Sequence, residues 1–160
     1  MFLNDEKFAK LVAISPLISI DICILKDSDL LLGKRKNSPA KNFYFVPGGR
    51  IRKNEKIDYA IDRLLAEELG LILKSNEKKF LGIFEHFYEE NFLENSNFGT
   101  HYIVLAFLIK HEDVQKITEV VNFIDQHSEY IWYNLNNKNN KDLKVHKYSL
   151  DYVKLITDNI

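Results

Sequence analysis

The chain has 160 residues, which suits one domain and falls short of two, and its 46% hydrophobic and 12% aromatic content supplies a core and excludes disorder. The 22 basic and 23 acidic residues leave a formal charge of -1, excluding the broad positive field that a generic nucleic-acid binder needs. A single cysteine, Cys23, excludes an intrachain disulfide and a cysteine-based zinc site and fits a reducing cytoplasm.

The amino terminus, Met1 to Glu6, is acidic and lacks the cationic start and apolar stretch of an export signal. The longest purely apolar run, Ile103 to Ile109, is far shorter than the roughly 20 residues of a bilayer-spanning helix, so a soluble protein with no membrane partner is expected. Asp5 to Val12 reads as an amphipathic helix that turns Phe8 and Leu11 inward. Leu17 to Leu25 and Leu30 to Leu32 flank the polar turn Lys26-Asp27-Ser28-Asp29, a hairpin pattern. A basic stretch, Lys34-Arg35-Lys36, leads through a loop with Pro39 to the aromatic strand Phe43 to Val46, which ends at Pro47-Gly48-Gly49.

Ile57, Ala60, Ile61, Leu64, Leu65 and Leu69 recur at helical steps, and Gly70 stops the helix. Phe80 to Tyr88 and Thr100 to Lys110 read as antiparallel strands around the acidic loop Glu89 to Gly99. A polar loop, Asn122 to Glu129, carries Asp125-Gln126-His127 into a last strand, Tyr130 to Tyr133. After a surface connection, Asn136 to Lys141, a second helix is predicted over 146–158. Strands interleaved with two helices predict a single α/β (α+β) domain, a mixed sheet sandwiched between helices. No internal repeat and no Rossmann or P-loop glycine fingerprint is present.

Positions 64, 67 and 68 fall at i, i+3 and i+4, so a regular helix projects Glu67 and Glu68 from one face beside Leu64. Paired carboxylates are hard ligands for Mg²⁺ or Mn²⁺, and such an ion neutralises a diphosphate. Arg63, one turn before Glu67, is placed to hold it. Taken alone, an acidic pair on a helix is more often a solvated face.

Spacing changes that balance. Gly49, Glu55, Arg63, Leu65, Glu67, Glu68, Gly70 and Leu71 fall in register with the Nudix box, a 23-residue pattern, and only Leu64 departs from it, where the family has Glu. The segment therefore resembles the Nudix hydrolase family, which implies the Nudix fold. Ser15-Pro16-Leu17, Leu32-Gly33-Lys34-Arg35, Phe45 to Arg50, His86-Phe87-Tyr88 and Thr100-His101-Tyr102 resemble the GDP-mannose mannosyl hydrolase branch, a similarity that weakens after Trp132. That branch also lacks the Glu at position 64 and breaks a sugar carbon–oxygen bond.

The resemblance implies one Mg²⁺ ion, or Mn²⁺, held by the Gly48 carbonyl, Glu68 and Gln126, with His127 as general base and Arg35 and Arg50 on the departing diphosphate. It implies Asp21, His86 and Tyr102 near sugar and phosphates, and Phe2, Leu3 and Phe8 against guanine, partly across a homodimer. The residues leave other readings open for Asp21, a solvent-facing strand position, and for His127, a surface-loop histidine. The expected activity is hydrolysis of GDP-mannose or a related GDP-hexose to GDP and free sugar with inversion. Two alternatives stand beside it: a pyrophosphohydrolase that uses Glu67 and Glu68 to release GMP and sugar phosphate, and a non-catalytic nucleotide-sugar binding module.

Overall fold

Leu17–Lys26 (β1) carries apolar or small side chains at both parities and buries on both faces over most of its length, the pattern of a central strand. In the computed structural model, which describes residues 3–74, 77–94, 97–116, 127–136 and 143–158, β1 pairs parallel with Thr100–Lys110 (β7) from Leu17 opposite Tyr102 to Leu25 opposite Lys110. Across the hairpin it pairs antiparallel with Asp29–Arg35 (β2), and Asp27 takes a positive φ of 52° in the turn. Tyr44–Phe45 (β3) lies outside β2, and Gly48–Arg50 (β4) pairs with β1. Leu71–Leu73 (β5) belongs to a separate two-stranded sheet. Lys79–Tyr88 (β6) runs antiparallel to β7, as its aromatic and β-branched residues predict. Val114–Lys116 (β8) is the partner of β5, and His127–Asn134 (β9) pairs with β2.

The helices cover the two faces as expected. Asp5–Ile14 (α1) is capped by the Asn4 side chain, which accepts from the Lys7 N–H; it buries Val12, whereas Leu11, expected inward, is exposed. On one face Ala60, Ile61 and Leu64 of Ile57–Leu64 (α2), with Leu65 after them, pack on Ile20, Ile22, Ile24, Phe107 and Ile109. On the other, Tyr148, Tyr152 and Ile156 of Lys147–Thr157 (α3) pack on Cys23, Leu30, Leu32, Phe45, Val46 and Ala106. Each fully buried Ile or Leu contributes roughly 1.5–3 kcal/mol. No helix among the described residues is long and apolar enough to cross a membrane.

Three differences from the sequence reading bear on function. His127-Ser128-Glu129, polar and expected as loop, is strand, because β2 supplies ladder partners that the local composition does not show. The aromatic strand expected over Phe43 to Val46 shortens to β3. The helix expected through Leu69 changes character: α2 ends at Leu64, and Leu65–Leu69 form a π-helical turn before Gly70 stops it at φ 63°. Gln126 and Phe2 lie outside the described residues.

Candidate active site

Leu64, Glu67 and Glu68, which flank or lie in the π-helical turn, have different surroundings. Leu64 is only 3% exposed and belongs to the core under α2, with its Cδ2 2.7 Å from where a Cβ on Gly49 would stand. Glu67 turns outward to the guanidinium groups of Arg52, at 3.0 Å, and Arg63, at 2.9 Å. Arg63 also grips Glu55 through Nε and Nη2 and donates to the Arg50 carbonyl, fixing the loop before α2 to the helix. Of the two glutamates only Glu68 is buried, 5% exposed.

His127 meets it there. Its Nδ1 is 3.6 Å from Glu68 Oε2 and 3.0 Å from the Tyr130 hydroxyl, which donates to the Glu68 carbonyl at 3.0 Å. A hydroxyl has one proton, so the hydrogen-bond network assigns a proton to Nδ1 and leaves the basic lone pair on Nε2. Residues 127 and 130 project to opposite faces of a regular strand; a register shift in the β2–β9 ladder between Gly33 and Arg35 removes that alternation. Gly33 is required beneath them, since a Cβ there would stand 2.6 Å from the His127 ring. The expectation of a surface loop for His127 is corrected: the residue is 4% exposed. Tyr130 was not singled out from sequence, and no local signal marks it, because its role depends on that shift.

Arg35 lies opposite His127 in the ladder, donates Nε to the Pro39 carbonyl at 2.9 Å, and is the cation acting on both Glu68 and Asp21. Asp21 is buried on the α3 side of β1, not solvent-facing, with Oδ1 2.8 Å from where a Cβ on Gly48 would stand; glycine is needed at that approach. The Tyr152 hydroxyl donates to Asp21 Oδ2 at 2.8 Å and stands 3.3 Å from Nε2 of His86, whose ring stacks on Tyr148. Tyr102 pairs with His86 across β6 and β7 and lies close enough to Arg50 and Arg35 for both to favour its ionised form, although burial pushes its hydroxyl up overall. The Arg50 guanidinium stacks 3.9 Å above the Phe8 ring, which also meets Phe92. Leu3 is 44% exposed. The fold thus gathers Asp21, Arg35, Gly48, Glu68, His86, Tyr102 and His127, while Phe8 is linked to Arg50 and Leu3 is exposed.

Glu68 Oε2 is buried without a hydrogen-bond partner among the described residues. An orphaned carboxylate oxygen of this kind fits a divalent cation, which satisfies the charge and the lone pairs together. Among the described residues no group of three His, Cys, Asp or Glu is placed to hold a metal, and Glu67 is committed to arginines, so the remaining donors to such an ion would be neutral oxygens.

Burial pushes Glu68 up to about 8 and Asp21 up to about 7, with Arg35 opposing both. In the folded chain these carboxyls keep protons that the unfolded chain has already released. Their contribution is therefore present at low pH and is lost as pH rises through the folded values. His86 and His146, which burial lowers to about 3 and about 4, act in the opposite sense, but only below their ordinary value of 6.5. Between pH 6.5 and about 8 the carboxyls decide the sign. The thermal midpoint in chelator is expected to fall across that interval, and added Mg²⁺ to raise it most at the alkaline end; a midpoint that rises in chelator would contradict this environment for Glu68.

Comparison with known proteins shows the family. The family signature described as NUDIX domain matches residues 16–152. The chain is 38% identical over 109 residues to the low-salt glycan biosynthesis protein Agl8 of Haloferax volcanii, covering 68% of each chain. It is 41% identical over 69 residues to an ADP-ribose pyrophosphatase of Methanocaldococcus jannaschii, covering 43% of this chain and 40% of that one. Among solved structures it resembles a MutT NUDIX hydrolase of Burkholderia pseudomallei, with a TM-score of 0.70 at 22% identity, over 89% of this chain and 98% of that chain. A Glu-bearing helix after a glycine turn, the Arg63 clamp and a family match over most of the sequence agree: the chain belongs to the Nudix hydrolase family.

Proposed function

We propose that the protein hydrolyses GDP-mannose, or a related GDP-hexose, to GDP and free sugar by attack of water at the anomeric carbon with inversion. One observation carries this reading: Leu64 fills the position of a metal-face carboxylate and Glu67 is tied to Arg52 and Arg63, leaving Glu68 as the buried carboxylate of that segment, against His127. The glycan-biosynthesis name of the Haloferax relative points to sugar-nucleotide chemistry.

A Mg²⁺ or Mn²⁺ ion held by the Gly48 carbonyl, Glu68 and Gln126 would supply positive charge beside the diphosphate. Nε2 of His127 takes a proton from water as the water oxygen bonds to the anomeric carbon; the bond from that carbon to the diphosphate oxygen breaks, and GDP leaves with the electron pair. Arg35 and Arg50 stabilise the charge that grows on the leaving diphosphate. Tyr130 holds the His127 tautomer, and Asp21, His86 and Tyr102 face the sugar and phosphates. A homodimer in the cytoplasm, with Phe2 and Leu3 reaching guanine across it, completes the reading.

The methanogen relative's name favours a second reading, attack at phosphorus to give GMP and sugar phosphate. Hydrolysis of GDP-mannose in ¹⁸O-labelled water with Mg²⁺ separates them. The expected label is on mannose, with GDP unlabelled. Label on a phosphate would establish the second reading, and absence of turnover would point to a binding module.

A further inference from the structure

We propose that Tyr152, on α3, is a positioning residue that holds the Asp21 carboxylate and the His86 ring in one fixed arrangement for a sugar nucleotide. The inference rests on the sugar-nucleotide reading of the site but concerns a helix that lies beyond the segments resembling the GDP-mannose branch.

Tyr152 is fully buried, 0% exposed, so its hydroxyl must find partners inside the protein. It finds one from β1, Asp21 Oδ2 at 2.8 Å, and one from β6, His86 Nε2 at 3.3 Å. With the carboxylate ionised, the single hydroxyl proton goes to Asp21, so Nε2–H of His86 donates to the hydroxyl oxygen and Nδ1 is left as the acceptor. One atom thereby sets both the carboxylate rotamer and the imidazole tautomer. The other carboxylate oxygen lies at the close approach to Gly48, which leaves Asp21 little room to rotate.

The helix is pinned so that this hydroxyl cannot drift. One turn before Tyr152, Tyr148 stacks on His86 with centroids 3.9 Å apart and planes 4° from parallel. Its hydroxyl accepts from the Phe87 N–H at 2.7 Å and donates to the Phe87 carbonyl at 2.8 Å. Between the two tyrosines, Ser149 Oγ accepts from the Val46 N–H at 3.1 Å, tying α3 to the chain just before Gly48. A polar pair held this way meets sugar hydroxyls without reorganising, the preorganisation on which rate depends.

The test is a double-mutant cycle of Tyr152→Phe and Asp21→Asn, read as kcat and KM for GDP-mannose and as Kd for GDP-mannose and for GDP, with Mg²⁺ present. Tyr152→Phe is expected to lower kcat/KM roughly ten- to hundredfold, the scale of a hydrogen bond to a charged group, and to weaken GDP-mannose while leaving GDP within about twofold. In the Asp21→Asn background the loss should shrink to the part carried through His86. Wild-type kinetics in Tyr152→Phe, an equal loss for GDP, or an undiminished loss in the Asp21→Asn background would each overturn the proposal. If the wild type binds GDP-mannose without cleaving it, or releases GMP, the bond assignment fails on its own, and the cycle read on Kd still decides for Tyr152. A wild type that does not bind GDP-mannose overturns both. Should Tyr152→Phe fail to fold, the buried, hydrogen-bonded Tyr152 hydroxyl proton of the wild type, expected to exchange slowly, gives the answer by ¹H NMR: it should move on addition of GDP-mannose and stay in place with GDP, and no movement with either would overturn the role.

Discussion

Glu68→Gln is expected to abolish most Mg²⁺-dependent turnover, by more than about a hundredfold, because even partners one step removed from a metal ligand are worth 10–100-fold. The same variant should make the metal-free protein more stable at alkaline pH. Burial is the main cause that pushes the Glu68 carboxyl up to about 8, so ionising it costs the fold, and a neutral amide of nearly equal shape escapes that cost. The fall of the thermal midpoint between pH 6.5 and about 8 should shrink in Glu68→Gln, since one of the two carboxyls responsible is gone. Opposite signs in activity and stability mark a residue kept for its ligand. Glu67→Gln should do the reverse: it loses ion pairs to Arg52 and Arg63, about 1 kcal/mol for partly exposed partners, and keeps its response to Mg²⁺. Calorimetry at two pH values with and without Mg²⁺, beside steady-state rates, separates the pair. Loss of Mg²⁺ binding in a folded Glu67→Gln protein would move the metal to Glu67 and favour attack at phosphorus.

His127→Gln carries the second large effect. A positioned general base contributes about 10²–10⁴-fold, and in the proposed reaction the loss should fall in kcat, because there the Nε2 lone pair would act on water while Arg35 and Arg50 would hold the diphosphate. The Kd for GDP should therefore change little. The arrangement gives a finer expectation for Tyr130→Phe, which keeps the imidazole but removes the hydroxyl that assigns its tautomer. That variant should lose less than His127→Gln, and the double variant little more than His127→Gln alone. Rapid-quench measurement of GDP release reads all three. Wild-type turnover in His127→Gln would remove the base from this strand altogether.

The environments of Glu67 and Glu68 show where the sequence stops speaking. Their spacing with Gly49, Glu55, Arg63 and Gly70 was legible as a motif because it lies within one stretch of chain, and the Arg63 clamp on Glu67 followed from helical spacing. Of the two only Glu68 is buried, and the π-helical turn at Leu65–Leu69 that carries both is one no local period announces. The departure at Leu64 was visible in the sequence; its membership of the core under α2 was not.

Sequence by itself determined the hairpin, the long antiparallel pair, both covering helices and the family, because periodicity and short-range spacing are properties of consecutive residues. Tertiary structure decided what the chemistry needs. His127, read as loop, becomes a buried strand residue once β2 supplies its ladder partner, and Tyr130 joins it through a register shift between two strands. Asp21, open to a solvent-facing reading, is inward because α3 covers that face of β1, and Tyr152 reaches it across 131 positions of sequence. Contacts between residues so far apart are fixed by the packing of whole elements, and that packing is a property of the folded chain, which no window of the sequence contains.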